Sequence, residues 1–308
     1  MAYDETAESF MPATASAVWT INRFGAMLGL NVGYLLIIVA LAPEVGVVRD
    51  RAGILAVFFG AVILMKGQAS VADAMHEYDV DVENPFKSHV PTAVDALGRE
   101  NAMALFAVEL TGSLALWGYL AYHTVDPLFL VAGVGSNVLA VTYSYPPRFK
   151  EWGVVNHLVT TGVDVLFVLL PGIVLAVGHV GLREAVVLGV VFTYVFAIHV
   201  MHQSGDTYYD AQSGIDTFTR SFGVENAVVL SFGGVGIAVA AAVCSGLFLC
   251  GGLLLGFAVK LQRIFADTLG RSLKAQSDVV SRRFDVSTWA PALNVVLALD
   301  LFWFGTLL

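Results

Sequence analysis

The sequence predicts an all-α, polytopic integral membrane protein: nine transmembrane helices around a central cavity, in a single domain over residues 1–308. The chain is 57% hydrophobic and only 13% charged, far more apolar than a soluble protein of this length. Its apolar residues fall into repeated runs of about 20, the length that crosses a bilayer. Polar residues are concentrated in three stretches, at about 73–99, 204–222 and 263–286, without a low-complexity linker.

Each apolar run is interpreted as one membrane span. The predicted spans are 18–42, 53–72, 100–122, 127–145, 153–177, 181–203, 225–244, 246–262 and 287–308. Residues 225–262 form one nearly continuous apolar stretch, interrupted only by small residues near Ser245 and Gly246. Its length suits a tight helical hairpin better than one very long helix.

The basic residues predict the orientation. With nine spans, 13 of the 16 Lys and Arg residues fall on the side that holds the N-terminus and the 2–3, 4–5, 6–7 and 8–9 connections. Because cytoplasmic loops carry the excess of Lys and Arg, the N-terminus and the polar stretches are expected in the cytoplasm, in a multi-pass protein of the cell membrane. The third polar stretch, with its basic face, predicts an interfacial amphipathic helix.

Two acidic clusters follow the second and sixth predicted spans. Asp73, Glu77 and Asp81 are spaced i, i+4, i+8, and Asp206 and Asp210 are spaced i, i+4, so each cluster is predicted to share one helix face. Like charges so close to a bilayer are costly unless cations neutralise them. Carboxylates combined with substrate phosphates suit Mg²⁺, so we predict that these five residues are catalytic metal ligands that hold a diphosphate.

Ionisable residues also interrupt the apolar runs. Lys66 lies upstream of the first cluster, on the same helical face, and Asp164 lies inside the fifth span. An intramembrane ionisable group is a functional-site hypothesis. The alternatives are a lysine that snorkels to the cytoplasmic rim and an aspartate that hydrogen-bonds a neighbouring helix.

A third segment, Tyr143–Lys150, lies between the fourth and fifth spans. Pro146 and Pro147 end the helix, and Arg148 and Lys150 then present cations toward the same mouth. Taken together, the three segments resemble the UbiA superfamily of intramembrane prenyltransferases. Its members are similar in having nine helices around a central cavity and two Asp-rich motifs, after helices two and six.

The resemblance covers essentially the whole chain. The family's first motif, N-D-x-x-D-x-x-x-D followed by N-P, corresponds to Asp73, Ala74, Glu77, Asp81 and Asn84-Pro85. Its second motif, D-x-x-x-D followed by Gly and Thr, corresponds to Asp206, Asp210, Gly214 and Thr217. The Y-S-x-P-P-x-x-K stretch corresponds to Tyr143, Ser144, Pro146, Pro147 and Lys150.

Three positions depart from the family pattern. Ala74 replaces a carboxylate, Glu77 replaces an aspartate, and Gln203 stands where many relatives have another aspartate. Asp73 and Asp79 are candidates to compensate by supplying ligands from neighbouring turns. The alternatives are altered metal use, changed chemistry or lost activity.

The resemblance implies Mg²⁺-dependent transfer of a prenyl group from a polyprenyl diphosphate to a lipophilic acceptor within the membrane, as in isoprenoid biosynthesis. The acceptor would be a quinone precursor, a lipid, a carotenoid or a similar molecule. We expect membrane lipid as a partner and no nucleic acid. The residues predicted to bind substrate are Arg23, Lys66, Lys87, Tyr143, Arg148 and Lys150.

Other functions remain open at this point. A UbiA-type terpene cyclase would act on the prenyl diphosphate alone. A membrane metal-dependent oxidoreductase would use His, Asp and Glu ligands, for which His76, His199 and His202 are candidates. A transporter would also contain intramembrane charges, although it would place them nearer the bilayer midplane.

Overall fold

The computed structural model describes residues 12–303, and the described chain is helical without a strand. Nine of these helices are long and apolar enough to cross a membrane, which confirms the prediction for the described residues. In chain order they are α1 Phe24–Leu41, α2 Val45–His76, α3 Arg99–Thr124, α4 Pro127–Ser144, α5 Val154–Val177, α6 Leu182–Gln212, α7 Val224–Cys244, α8 Phe248–Thr268 and α9 Val286–Trp303. The end of the ninth predicted span, 304–308, lies outside the described residues.

Shorter helices occupy the connections. These are Ala13–Ile21, Tyr78–Glu83, His89–Leu97, Phe218–Phe222 and Leu273–Arg283. The predicted hairpin in the apolar stretch 225–262 is present, because α7 ends at Cys244 and α8 begins at Phe248. Gly246 makes this turn with a positive φ of 82°, a conformation that glycine adopts without steric cost.

Helices α2 and α6 extend well beyond their predicted spans of 53–72 and 181–203. They contain 32 and 31 residues. At 1.5 Å per residue each is about 47 Å long, whereas the hydrocarbon core is about 30 Å thick. The apolar pattern stops at the first charges, but the helices continue and carry the acidic residues out of the core. We call the end of the bundle where α2 and α6 finish the motif end.

The first acidic cluster does not lie on one uninterrupted helix, as the spacing predicted. Helix α2 ends at His76, and a short helix resumes at Tyr78. Backbone N–H groups of Glu77 and Asp81 nevertheless donate to the carbonyls four residues earlier, each at 2.8 Å. These bonds keep the helical register across the break.

A wide turn in α5 brings a carboxylate into the bundle. Residues Val163–Leu169 form a π-helical segment that ends two residues before Pro171. Proline cannot donate an i→i−4 bond, and a π turn is one way in which a helix accommodates such a break. Asp164, at the start of this segment, is buried with 1% exposure.

The third polar stretch is packed more closely than an interfacial helix requires. The Ser277 hydroxyl accepts a hydrogen bond from the Tyr208 backbone N–H at 3.0 Å, and the Ser281 hydroxyl donates to the Gly205 carbonyl at 3.0 Å. Helix Leu273–Arg283 therefore supports the end of α6 that carries the second acidic cluster.

Close contact of α3 with α4 depends on a small residue, as is common in membrane helix packing. Trp117 is buried on α3 and packs edge-to-face on Phe58, with ring centroids 5.6 Å apart. A Cβ at Gly133 of α4 would lie 2.4 Å from the Trp117 Cβ, closer than two carbons can approach.

We therefore expect Gly133→Ala to destabilise the protein by about 1–3 kcal/mol through overpacking. Thermal unfolding in detergent would measure this as a lower melting temperature. Gly118→Ala, beside Trp117 but with open space around its added methyl group, is the matched control and should not lower it. Equal melting temperatures for Gly133→Ala and wild type would contradict the packing argument.

Candidate active site

A cavity of about 260 Å³ at the motif end is lined by residues of α1, α2, α4, α5 and α6. Four of the five predicted carboxylates line it: Asp73 and Glu77 from the first cluster, and Asp206 and Asp210 from the second. Asp81 lies behind this surface with 1% exposure. The two acidic clusters, far apart in sequence, therefore meet at one space.

Lys150 joins the two clusters. Its ammonium group lies 2.6 Å from Glu77 Oε1 and 3.0 Å from Asp210 Oδ1, and the residue is buried. Burial alone would lower the pKa of the Lys150 amine, but the two carboxylates hold it above its usual range. Burial and the nearby Asp73 carboxylate raise the pKa of Glu77 to about 7 despite the lysine.

Lys87 makes a second connection between the clusters. Its Nζ donates to Asp206 Oδ2 at 2.9 Å and lies 3.9 Å from Asp81 Oδ1. Burial would lower the pKa of Lys87, and these two carboxylates raise it above its usual range. Burial raises the pKa of the Asp81 carboxyl, against the opposing effect of Lys87.

Asp73 has two partners from other elements. Arg23, just before α1, contacts its Oδ2 at 2.7 Å, and the Ser144 hydroxyl at the end of α4 donates to its Oδ1 at 2.8 Å. Burial alone would lower the pKa of the Arg23 guanidinium, but the Asp73 and Asp81 carboxylates raise it.

The position of Ala74 accounts for one departure from the family motif. Its side chain is fully buried in an apolar cluster with Ala17, Val71 and Met75, away from the cavity. Asp73, one residue earlier, presents its carboxylate to the cavity instead. A carboxylate at position 74 would have to enter an apolar environment, which is strongly unfavourable for an unpaired charge.

The donor set fits a divalent cation with hard oxygen ligands. Three cations, Arg23, Lys87 and Lys150, face five carboxylates. The Asp81 Oδ2 and Asp210 Oδ2 atoms are buried without a hydrogen-bond partner among the described residues. No group of three or more His, Cys, Asp or Glu within residues 12–303 forms a ready-made metal cage. Mg²⁺ typically binds through few carboxylates together with substrate phosphates, so it does not need such a cage.

The remaining predicted substrate-binding residues are placed differently from one another. Tyr143 lines the cavity. Lys66 also lines it, but the amine is paired with Asp164 and not with the acidic clusters. Arg148 pairs with Glu151 at 2.9 Å and is not among the cavity-lining residues. Its role stays a prediction.

Sequence reasoning missed part of the cavity wall. His157 is buried on α5, and its Nε2 lies 3.1 Å from Gln203 Oε1 on α6. Asn156, also buried, lines the cavity beside it. The only sequence signal was a polar pair at the start of an apolar run, which resembles an ordinary helix end.

Two further features are separate from this site. A larger cavity of about 640 Å³, bordered by Asp50, Arg51 and His123 among others, lies at the opposite end of the bundle and contains no predicted site residue. His76 packs edge-to-face on Tyr145. It does not line the cavity that His199 and His202 border.

The sequence model of the UbiA prenyltransferase family matches residues 30–274, about four fifths of the chain. The chain belongs to the UbiA prenyltransferase family. The nine apolar helices found within residues 12–303 agree with a multi-pass membrane protein, and the family supports a prenyltransferase-type enzyme. The comparison with curated protein sequences returned no match.

Solved structures of UbiA homologues share the fold. One from Archaeoglobus fulgidus, bound to GPP and Mg²⁺, superposes with a TM-score of 0.65 at 18% identity, covering 93% of this chain and 99% of the homologue. A digeranylgeranylglyceryl phosphate synthase gives 0.61 at 10% identity, with coverage of 94% and 97%. An apo homologue from Aeropyrum pernix K1 gives 0.60 at 17% identity, with coverage of 94% and 98%. At such low identity the likeness concerns the fold alone.

The raised pKa of Glu77 predicts a pH dependence of stability in metal-free protein. The folded-state pKa of about 7 exceeds the ordinary glutamate pKa of 4.5, so the folded protein binds more protons than the unfolded chain between these values. This contribution to the free energy of unfolding is complete below 4.5 and is lost as the pH rises through about 7.

Melting temperatures between pH 4.5 and 8 in a chelator-containing buffer would measure the effect. Glu77→Gln should flatten the decline, whereas Glu83→Gln, an exposed residue nearby, should leave it unchanged. A decline that persists in Glu77→Gln would assign it to another group.

Proposed function

We propose that the protein catalyses Mg²⁺-dependent transfer of a prenyl group from a polyprenyl diphosphate to a lipophilic acceptor inside the membrane. The observation that carries the proposal is the convergence of four carboxylates from both clusters on one cavity, with Asp81 directly behind it and Lys87 and Lys150 between the two clusters. Such a mixture of acidic and basic groups suits a diphosphate that enters with its metal ions.

The metal would be held by Asp73, Glu77, Asp81, Asp206 and Asp210. When bound, Mg²⁺ supplies Lewis-acid stabilisation of the charge on the diphosphate leaving group. The unpartnered oxygens of Asp81 and Asp210 support their assignment as ligands. Asp73, from its cavity-facing position, takes the place of the carboxylate that position 74 lacks.

The basic residues would bind the diphosphate itself. Arg23, Lys87 and Lys150 are held at the cavity by carboxylates, so their exchange onto phosphate oxygens needs only short side-chain movements. Cations already positioned where negative charge develops stabilise the departure of the diphosphate as the allylic C–O bond breaks.

The apolar part of the cavity would receive the prenyl chain. Met27, Met65, Leu139 and Val163 belong to its apolar lining. This lining excludes water from the allylic cation, so that the acceptor and not water is alkylated.

We expect Asp206→Ala and Asp210→Ala to lower diphosphate release from geranylgeranyl diphosphate by about a hundredfold or more, because each removes a charge that the metal site needs. The assay measures the diphosphate that the purified protein releases in detergent solution, with and without Mg²⁺. Asp216→Ala, an exposed aspartate just beyond the motif, is the control and should stay close to wild type. Release that is independent of Mg²⁺ and of both aspartates would refute the proposed function.

We also propose that the motif end faces the cytoplasm, since 13 of the 16 basic residues lie on or near that side. In a Cys244→Ala/Cys250→Ala background, a membrane-impermeant maleimide added to intact cells should label Val180→Cys but not Ser213→Cys. Both positions are exposed, at opposite ends of the bundle. The reverse labelling pattern would invert the topology.

A further inference from the structure

A second polar group lies deeper in the same cavity. Asp164 accepts from Lys66 through Oδ1, and its Oδ2 is 3.1 Å from His199 Nε2. The aspartate is buried with 1% side-chain exposure, whereas the lysine and histidine side chains are 18% and 28% exposed and line the cavity. The carboxylate thus supports two groups that remain accessible.

Lys66 on α2 and His199 on α6 lie at the same depth in the bundle. Lys66 precedes Asp73 on α2 by seven residues, and His199 precedes Asp206 on α6 by seven residues. At 1.5 Å per residue, both lie about 10 Å farther from the motif end than the carboxylates. This separation leaves room for a diphosphate and its attached allylic carbon between the two levels.

The deeper group is balanced in charge. The Lys66 ammonium is neutralised by the Asp164 carboxylate, so an anionic ligand would meet no free positive charge and would lose its hydration without compensation. An uncharged hydroxyl group has no such cost. It can accept from the remaining lysine N–H groups and donate to the histidine.

His199 is equipped to accept a proton. An ionised Asp164 can only accept, so Nε2 carries the proton in their contact and Nδ1 holds the lone pair. Nδ1 has no hydrogen-bond partner among the described residues. Three histidines line the cavity, namely His157, His199 and His202, and within the described chain His199 is the one that contacts a carboxylate.

We propose that Lys66, Asp164 and His199 form the acceptor subsite, and that the acceptor is an uncharged lipid that presents a hydroxyl group. This rests on the proposed function. The allylic C–O bond of the donor breaks and the diphosphate leaves with the electron pair. The acceptor oxygen forms the new C–O bond, and its proton passes to His199 Nδ1 and then to water. The product is a prenyl ether and inorganic diphosphate.

The test supplies purified protein with Mg²⁺, dimethylallyl, geranyl or geranylgeranyl diphosphate labelled at C1, and a lipid extract of cells that carry the gene. The extract is separated by anion exchange into uncharged and acidic lipids. With wild type, we expect label in an uncharged lipid as an ether, identified by mass spectrometry. Label in acidic lipids, or on a carbon atom, would overturn the inference.

Two variants examine the residues. His199→Gln keeps hydrogen-bonding capacity but cannot take the proton, so ether formation should fall about a hundredfold, as for loss of a general base. Asp164→Asn leaves Lys66 uncompensated, so ether formation should fall about tenfold or more and label should move toward acidic lipids. Binding of geranyl thiolodiphosphate with Mg²⁺ should be unchanged within about twofold in both, since neither residue belongs to the diphosphate site.

The matched controls are His123→Gln, at the opposite end of the bundle, and Glu109→Gln, a carboxylate that is buried in α3. Both should retain ether formation. If His199→Gln and Asp164→Asn behave like these controls, the acceptor subsite lies elsewhere. If His199→Gln or Asp164→Asn fails to fold, as judged by gel filtration, the inference is decided by the wild-type protein alone. It stands if wild type labels an uncharged lipid as an ether and fails if the label is in acidic lipids or on a carbon atom.

The same experiment separates the two proposals. Diphosphate release without label in any lipid would refute the acceptor assignment and favour cyclisation or hydrolysis of the donor. If no diphosphate is released with any donor, the proposed function itself fails.

Discussion

The charge balance around one buried cavity is the constraint on which the arrangement of this molecule depends. Five carboxylates cannot share a poorly solvated space unless cations lie between them. Lys150 and Lys87 each contact both acidic clusters, and Arg23 holds Asp73. These cations come from three different connections of the chain, so the ion pairs also tie together the segments that surround the cavity.

The direction of the two motif helices strengthens this constraint. Both acidic clusters lie near helix C-termini, where the aligned peptide dipoles place partial negative charge. Carboxylates there add to a field of the same sign. The negative charge that cations must neutralise therefore comes from the backbone as well as from the side chains. A divalent metal ion together with the surrounding basic residues would neutralise it better than lysine alone.

Much of the architecture could be predicted because hydropathy and charge spacing are local signals. The nine spans and the two acidic clusters were visible in the sequence, and the family resemblance was confirmed. The ends of α2 and α6 could not be predicted from hydropathy, because hydropathy falls at the first charged residue while helical hydrogen bonding continues. The pairing of Lys66 with Asp164 depends on a π turn in another helix, and Arg148 turns toward its neighbour Glu151, so neither followed from spacing. Contacts of this kind are tertiary, and one sequence carries little trace of them.

The internal ion pairs at the mouth have a consequence for binding in salt. A donor that enters an empty basic pocket displaces dissolved anions, so its affinity falls steeply as electrolyte is added. Here Arg23, Lys87 and Lys150 already carry carboxylates of the protein as counterions. Exchange of one anion for another inside the protein releases few ions to solution. Under the proposed function, the affinity for the diphosphate donor would therefore depend only weakly on ionic strength.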